Sequence, residues 1–289
     1  MCRLFGLSAA PHRVRATFWL LEAPDSLAEQ SRREPDGTGL GVFSENDAPR
    51  VFKEPLPAYR DRQFSYEARE LESATFVAHI RYASTGGLDV PNTHPFEQHG
   101  RLFAHNGVVE NLPALDAELG AYRDLVGGDT DSERLFALIT KYADIRDGDV
   151  NSAIEAAVRW MAAELPVYAL NFVLISPTEM WALRYPDVHS LFVLERRAGG
   201  PLGSRHLEHA SAAGRIRVRS GALSGQPAVV VASERMDDDP GWQALCPGEL
   251  LHVDDRLNAT RRVVIDHAPR HPLALEQLGA HAVASQAGS

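Results

Sequence analysis

Short runs of apolar and β-branched residues recur along the chain, separated by turn-forming residues. Runs of this length and composition are typical of β-strands. The pattern predicts strands at Arg3–Ser8, Gly39–Phe43, Val51–Lys53, Thr75–Ala83, Arg101–Ala104, Tyr168–Ile175, Met180–Arg184, Leu191–Leu194, Ala228–Ala232 and Leu250–Val253.

Helical periodicity is concentrated between two groups of these strands. It predicts helices over Ser132–Tyr142, behind candidate caps at Thr130, Asp131 and Ser132, and over Val150–Glu164. This order is not the regular alternation of a doubly wound parallel sheet. It favours an α+β fold with two stacked, mostly antiparallel sheets and helices outside them, a four-layer αββα sandwich.

The length of the chain and the point at which the apolar runs stop predict the domain organisation. The 289 residues are compatible with one large domain, which we predict over residues 2–266. Residues 267–289 form a C-terminal extension, predicted to be partly mobile because its last part is rich in small residues. The segment Ala198–Ser224, rich in Gly, Ser, Ala, Arg and His, predicts a long loop or hairpin.

Charge and hydropathy exclude several classes of partner. The net charge of −10 argues against a nucleic-acid surface, which depends on clustered Lys and Arg. Apolar stretches such as Val167–Ile175 are too short to cross a membrane, and the amino terminus lacks a signal-peptide pattern. We therefore expect a cytoplasmic protein that acts on a small molecule.

The two cysteines need separate explanations, because a disulfide is unusual in a reducing cytoplasm. Cys246 precedes an apolar run and is predicted to be a buried structural thiol. Cys2 becomes the first residue if Met1 is removed. An α-amine titrates at about 7.7 to 8.0 and can then act as base for its own thiol. Taken alone, a cysteine at position 2 is more often an incidental small residue at the start of a strand.

Other polar residues stand at strand ends and turns. Arg81 and Ser84, in the segment His79–Gly86, lie near the end of an apolar strand that runs into a Gly-containing loop. At this position Arg81 can bind a carboxylate or form an ordinary ion pair. His94 lies in an Asn-Thr-His-Pro turn and either lines a pocket or is structural.

Two further segments have both a structural and a chemical interpretation. Asn106-Gly107 is a strong hairpin signal, but its side-chain amide and backbone N–H are also two donors for one oxyanion. Thr130 with Glu133 fits a capping box, whereas Asp131 is available for a ligand's ammonium group.

Taken together, the motifs resemble those of the class II glutamine amidotransferases, within the N-terminal nucleophile hydrolases. The resemblance rests on Met-Cys, His-x-Arg-x-Ala-Ser-x-Gly, Thr-His-Pro-Phe, Ala-His-Asn-Gly and Thr-Asp-Ser-Glu in this order, and it spans about residues 2 to 254. Asp-Gly-Thr-Gly at residues 36–39, Val-Ala-Ser-Glu at 231–234 and the aspartate-rich stretch 237–242 favour the stand-alone branch with the ergothioneine-pathway γ-glutamyl amide hydrolase.

The resemblance implies a role for each matching residue. Cys2 is the nucleophile, and Asn106 with Gly107 forms the oxyanion hole. Arg81 binds the substrate α-carboxylate and Asp131 its α-ammonium. The remaining pocket residues are Tyr82, Ser84 and His94.

Two departures from the family pattern stand out. Thr38 replaces a tryptophan of the stand-alone branch, which predicts altered access to the nucleophile. Arg33 is not followed by the glycine that synthase-linked members carry, so we give it less weight.

The sequence therefore predicts a cysteine-dependent amidohydrolase that cleaves the γ-amide of glutamine or of a γ-glutamyl conjugate. No cofactor is implied, and no spacing of ligands indicates a metal site. One alternative is a glutaminase subunit that passes ammonia to a separate synthase. An alternative of another class is a non-catalytic protein that binds γ-glutamyl ligands.

Overall fold

Two β-sheets dominate the computed structural model, which describes residues 2–33, 36–81, 89–198, 208–210, 217–219, 225–278 and 283. The strands are β1 (Arg3–Ser8), β2 (Gly37–Phe43), β3 (Pro49–Glu54), β4 (Thr75–Arg81), β5 (Phe96–Gln98), β6 (Arg101–Val109), β7 (Pro166–Ile175), β8 (Met180–Arg184), β9 (Phe192–Arg196), β10 (Glu208–Ala210), β11 (Arg217–Arg219), β12 (Ala228–Ala232), β13 (Gln243–Ala244), β14 (Glu249–Val253), β15 (Ala259–Val263) and β16 (His271–Pro272). The α-helices are α1 (Leu27–Gln30), α2 (Arg62–Glu70), α3 (Leu112–Leu119), α4 (Asp131–Ile145) and α5 (Val150–Glu164).

The first sheet has the strand order β13-β9-β12-β1-β4-β2-β3, so β1 is its middle strand. The second sheet has the order β15-β14-β8-β7-β6-β5, with β16 added beside β7. Apart from the short parallel pairing of β16 with β7, the pairings between described strands are antiparallel. The mostly antiparallel arrangement predicted from the sequence is confirmed.

Three apolar cores separate four layers. Leu4, Val77 and Val173 belong to the core between the two sheets. The outer face of the first sheet packs against α1, α2 and a π-helical turn at Phe18–Glu22. The outer face of the second sheet packs against α3, α4 and α5. The α+β sandwich with helices on both outer faces is therefore confirmed.

The helix that carries Asp131 is fixed at its amino end by a side-chain cap. Thr130 Oγ1 accepts a hydrogen bond from Glu133 N at 3.2 Å, as an N-cap residue should. The Glu133 carboxylate does not complete the predicted capping box, because it accepts instead from Gly128 N at 2.7 Å. The Gly-rich loop before the helix is thereby tied to its first turn.

Several local predictions are wrong. The strand expected to stop at Asn106-Gly107 continues to Val109, because the partner strand β7 overrides the local turn preference. Cys246 is exposed, because the preceding Leu245 takes the inward position. Helices α2 and α3 were not predicted. By contrast, the hairpin alternative for Ala198–Ser224 agrees with the antiparallel pair of β10 and β11. Apart from these strands and Ala198, the segment lies outside the described residues.

Candidate active site

Cys2 lies at one end of the space between the sheets. It is buried, with 7% of its surface exposed, and it directly precedes the central strand β1. Successive strand residues point to opposite faces, and Leu4 and Gly6 face the inter-sheet core. By the same alternation Cys2 is directed toward the second sheet. Met1 is outside the described residues.

Asn106 brings an amide to Cys2 from the opposite sheet. Its Nδ2 donates a hydrogen bond to the Cys2 carbonyl oxygen at 3.1 Å. Its Oδ1 is buried without a hydrogen-bond partner in the part of the chain that the structure describes. Asn106 is 1% exposed, and its backbone pairs with Asn171 of β7. The amide is therefore held by a regular strand, not by a loop.

Gly107 has no room for a side chain. A Cβ at this position would lie 1.8 Å from the Ala169 carbonyl oxygen and 2.6 Å from His105 Nε2. Glycine is thus required by the close approach of β7 to β6. The Gly107 backbone N–H directly follows Asn106 in β6.

Arg81 ends β4 on the Cys2 side of the first sheet. It is 3% exposed, and burial lowers its pKa, while the charges of Cys2 and Asp89 act in the opposite direction. The guanidinium is thus within electrostatic range of the Cys2 thiol. Gly37 of β2 pairs directly with Arg81 of β4. Tyr82 and Ser84, predicted to line the same pocket, lie outside the described residues.

His94 is fixed in a loop that packs on β2. A Cβ on Gly39 would lie 1.8 Å from the His94 carbonyl oxygen, so glycine at position 39 allows the loop to approach. The ring lies 4.2 Å from the ring of His79, centroid to centroid, and 4.7 Å from that of Phe96. Burial, followed by the nearby His79, lowers the pKa of His94 well below its usual 6.5. His94 is therefore a neutral, buried imidazole packed between His79 and Phe96.

Asp131 occupies the first turn of α4 and is 1% exposed. Its Oδ2 accepts from Val109 N at 2.8 Å and its Oδ1 from Ser132 N at 3.0 Å. A carboxylate at a helix amino terminus is also stabilised by the helix dipole. The bond to Val109 attaches Asp131 to the end of the strand that carries Asn106.

His105 also connects strand β6 to helix α4, on the helical side of the second sheet. Its Nδ1 lies 2.9 Å from Ser132 Oγ and its Nε2 lies 3.2 Å from the Ala169 carbonyl oxygen. Burial lowers the pKa of His105, and the Asp131 charge opposes this shift. His105 therefore supports Asp131 and the strand pair β6–β7 from the helical side.

Thr38 lies on the opposite face of β2 from the site. Gly37 and Gly39 face the loop that carries Thr93 and His94. The Thr38 hydroxyl, on the other face, donates to the Leu56 carbonyl oxygen at 2.8 Å. Thr38 does not line the Cys2 side of the sheet. The expected effect on access to the nucleophile or to the leaving-group side stays a prediction.

Sequence reasoning missed the residues that hold β1. Ser233 bonds the main chain of Leu4, and Glu234 pairs with Arg3 and with Arg33. The Val-Ala-Ser-Glu motif was noted for its resemblance to the family, but nothing in its local pattern indicates a partner at residues 3 and 4. Arg33, given little weight from the sequence, belongs to this network.

The described residues contain no group of three or more His, Cys, Asp or Glu side chains placed to hold a metal ion. A helix long and apolar enough to span a bilayer is likewise absent from the described ranges.

Comparison with known proteins identifies the family. A model of the class-II glutamine amidotransferases matches residues 1–272. A γ-glutamyl-hercynylcysteine sulfoxide hydrolase of Mycobacterium tuberculosis is 29% identical, over 89% of this chain and 94% of its own. A probable glutamine amidotransferase of Saccharomyces cerevisiae is 31% identical over 50% of this chain, which spans only 46% of that protein.

Solved structures show the same fold. The allosteric regulatory enzyme of purine biosynthesis superposes with a TM-score of 0.64 at 20% identity, over 95% of this chain and 51% of its own. The four-layer architecture described above and the match to the family model thus point to the same fold. The chain belongs to the class II glutamine amidotransferase family and is an amidohydrolase with the N-terminal nucleophile hydrolase fold.

Proposed function

We propose that this protein hydrolyses the γ-amide of glutamine or of a γ-glutamyl conjugate, with Cys2 as the nucleophile. The observation that carries the proposal is the hydrogen bond from Asn106 Nδ2 to the Cys2 carbonyl, which joins the two sheets at the nucleophile. Arg81 is buried at the end of β4 in the first sheet. Asp131 is buried in the first turn of α4 and is bonded to Val109 at the end of β6 in the second sheet.

One buried cation, Arg81, and one buried anion, Asp131, suit a glutamyl group. Free glutamate and glutamine carry an α-carboxylate and an α-ammonium, and their recognition needs one fixed cation and one fixed anion. In our proposal Arg81 binds the carboxylate and Asp131 the ammonium, while His94 packs against the glutamyl chain. Tyr82 and Ser84 are proposed to complete the pocket.

The reaction begins with attack of the Cys2 sulfur on the γ-carbonyl carbon. The α-amine of Cys2, free after removal of Met1, takes the thiol proton and passes it to the leaving nitrogen. The oxyanion is stabilised by the Asn106 amide and the Gly107 N–H. Each such donor contributes about 2.7 to 4 kcal/mol of transition-state stabilisation.

Collapse of this intermediate breaks the carbon–nitrogen bond and releases ammonia or an amine. The γ-glutamyl group remains on sulfur as a thioester. Water then adds to the thioester carbonyl, the carbon–sulfur bond breaks, and glutamate leaves with the thiol regenerated.

The test is glutamate release from glutamine and from γ-glutamyl amides by the purified protein. Cys2→Ala should abolish release, whereas Cys246→Ala, which removes the exposed cysteine, should retain it. Mass spectrometry of the wild-type chain should find Cys2 at the amino terminus. Normal turnover by Cys2→Ala, or by protein that retains Met1, would exclude this mechanism.

A second variant tests the binding role of Arg81. Arg81→Lys keeps the charge but loses the two parallel donors that match a carboxylate. It should raise KM for glutamine about 10-fold or more. An unchanged KM would remove Arg81 from the proposed carboxylate site.

A further inference from the structure

Two residues that follow β12 contact the chain directly after Cys2. Ser233 N donates to the Leu4 carbonyl oxygen at 3.1 Å, and Leu4 N donates to Ser233 Oγ at 2.9 Å. Both main-chain groups of Leu4 are therefore bonded to one serine. The Ser190 hydroxyl in turn donates to the Ser233 carbonyl oxygen at 3.0 Å, which fixes the serine from a second loop.

The next residue holds the side chain of Arg3. Glu234 Oε1 lies 2.7 Å from an Arg3 terminal nitrogen, and the arginine side chain is 3% exposed. A buried guanidinium needs an opposite charge, because an unpaired buried charge is strongly unfavourable. Glu234 supplies that charge from the rim of the sheet, where its own side chain is 35% exposed.

The network extends from Glu234 to the surface. Glu234 Oε2 lies 3.3 Å from an Arg33 terminal nitrogen, which is also 3.1 Å from Asp25 Oδ1. Charges thus alternate from the buried Arg3 outward. We call Ser233 and Glu234 together the β1 clamp.

We propose that the β1 clamp positions the Cys2 sulfur, so that Ser233 and Glu234 are positioning residues for the reaction. The inference rests on the proposed function, in which Cys2 is the nucleophile. Strand β1 begins at Arg3, so Cys2 lies just outside it. The direction in which Cys2 leaves the sheet is therefore set by what holds residues 3 and 4. On the other side the Asn106 amide holds the Cys2 carbonyl.

The size of the effect follows from the geometry required for attack. A displacement of about 1 Å at a reacting atom costs on the order of 100-fold in rate. Loss of the Glu234 carboxylate removes a charged partner of Arg3, and loss of the Ser233 hydroxyl removes the acceptor of Leu4 N. We therefore expect kcat to fall, with little change in KM, because Arg81 and Asp131 are untouched.

The experiment uses the full chain with Cys246→Ser, which leaves Cys2 as the single thiol. Glu234→Ala and Ser233→Ala are compared with Glu195→Ala, which removes a similar glutamate paired with Arg261 at 2.6 Å on strand β9. Thermal melting first establishes that each variant is folded at the assay temperature. Kinetics with glutamine and the rate of Cys2 alkylation by iodoacetamide are then measured.

We expect Glu234→Ala and Ser233→Ala to lower kcat at least about 10-fold, with KM within about 3-fold of the parent. Alkylation of Cys2 should become several-fold faster, because the partly buried thiol is less firmly held. Glu234→Gln, which keeps an acceptor oxygen for Arg3, should recover part of the lost kcat. Glu195→Ala should match the parent in all three measurements.

The outcomes separate this inference from the proposed function. If the parent and Cys2→Ala release glutamate equally, the proposed function fails, and the alkylation rates still test the β1 clamp. If the parent is active but Glu234→Ala keeps its kcat and its alkylation rate within about two-fold, the clamp is refuted and the function stands. Should Ser233→Ala fail to fold, the Glu234 variants decide the question.

Discussion

Replacement of Gly107 by alanine tests the site and the fold together. The added Cβ would lie 1.8 Å from the Ala169 carbonyl oxygen and 2.4 Å from its carbonyl carbon. Real Cβ atoms essentially never approach closer than 3.0 Å, so strands β6 and β7 must separate locally by about 1.2 Å. Both contacts are backbone atoms, which cannot rotate away as a flexible side chain would.

This separation should affect stability and catalysis in different ways. Overpacking of a buried site costs about 1 to 3 kcal/mol and sometimes more, so we expect a loss of about 3 kcal/mol in the free energy of unfolding. The same shift moves the Gly107 N–H and the Asn106 amide relative to Cys2. A displacement of about 1 Å at a catalytic group lowers kcat on the order of 100-fold.

The assay pairs urea unfolding with glutamate release at a temperature where the variant is folded. Gly127→Ala is the control, because the nearest atom to its added Cβ is Glu133 Oε1 at 3.8 Å. The control should keep both properties. If Gly107→Ala unfolds within about 0.5 kcal/mol of wild type and keeps its kcat, the proposed packing of β6 on β7 and the donor role of Gly107 are both refuted.

Asp131→Asn should raise KM for glutamine about 10-fold or more with a smaller effect on kcat, measured by steady-state kinetics; equal KM values would contradict its role. Burial lowers the pKa of His79 from 6.5 to about 3, so the unfolded chain binds a proton that the folded chain does not, and stability should fall as pH drops through this range. The slope is at most about 1.4 kcal/mol per pH unit, and urea titrations of His79→Gln should give a shallower profile than wild type. Thr130→Ala removes the cap on Glu133 N and should lower the free energy of unfolding by about 1 kcal/mol, whereas an unchanged midpoint would mean that the cap contributes nothing. A thiol reagent should modify the exposed Cys246 rapidly in the folded protein, and Cys246→Ser should remove this fast phase.

Strands and the longest helices were predictable because their apolar periodicity is local. Strand β8 and helix α5 have the predicted bounds, since each is a clear apolar pattern between turn or capping residues. Short, weakly amphipathic elements such as α3 gave no such signal. Cys246 was misplaced because an apolar neighbourhood does not reveal which residue of a turn faces inward.

The candidate site was predictable only where chemistry is local to a motif. Asp131 beside its cap and Arg81 at a strand end follow from short patterns. The bond between Leu4 and Ser233 joins residues 229 positions apart, and no local rule connects them. Asn106-Gly107 shows the opposite difficulty, because its strong turn preference is overridden by pairing with a strand more than 60 residues later.

Because β1 is the middle strand of the first sheet, both of its neighbours must be synthesised before the sheet can form around it. One neighbour, β4, is available early, but the other begins only at Ala228. A chain interrupted before that point leaves β1 with an open edge, which favours aggregation over a working enzyme. Residues 228–232 must therefore be synthesised before β1, and Cys2 directly before it, can reach the arrangement described above.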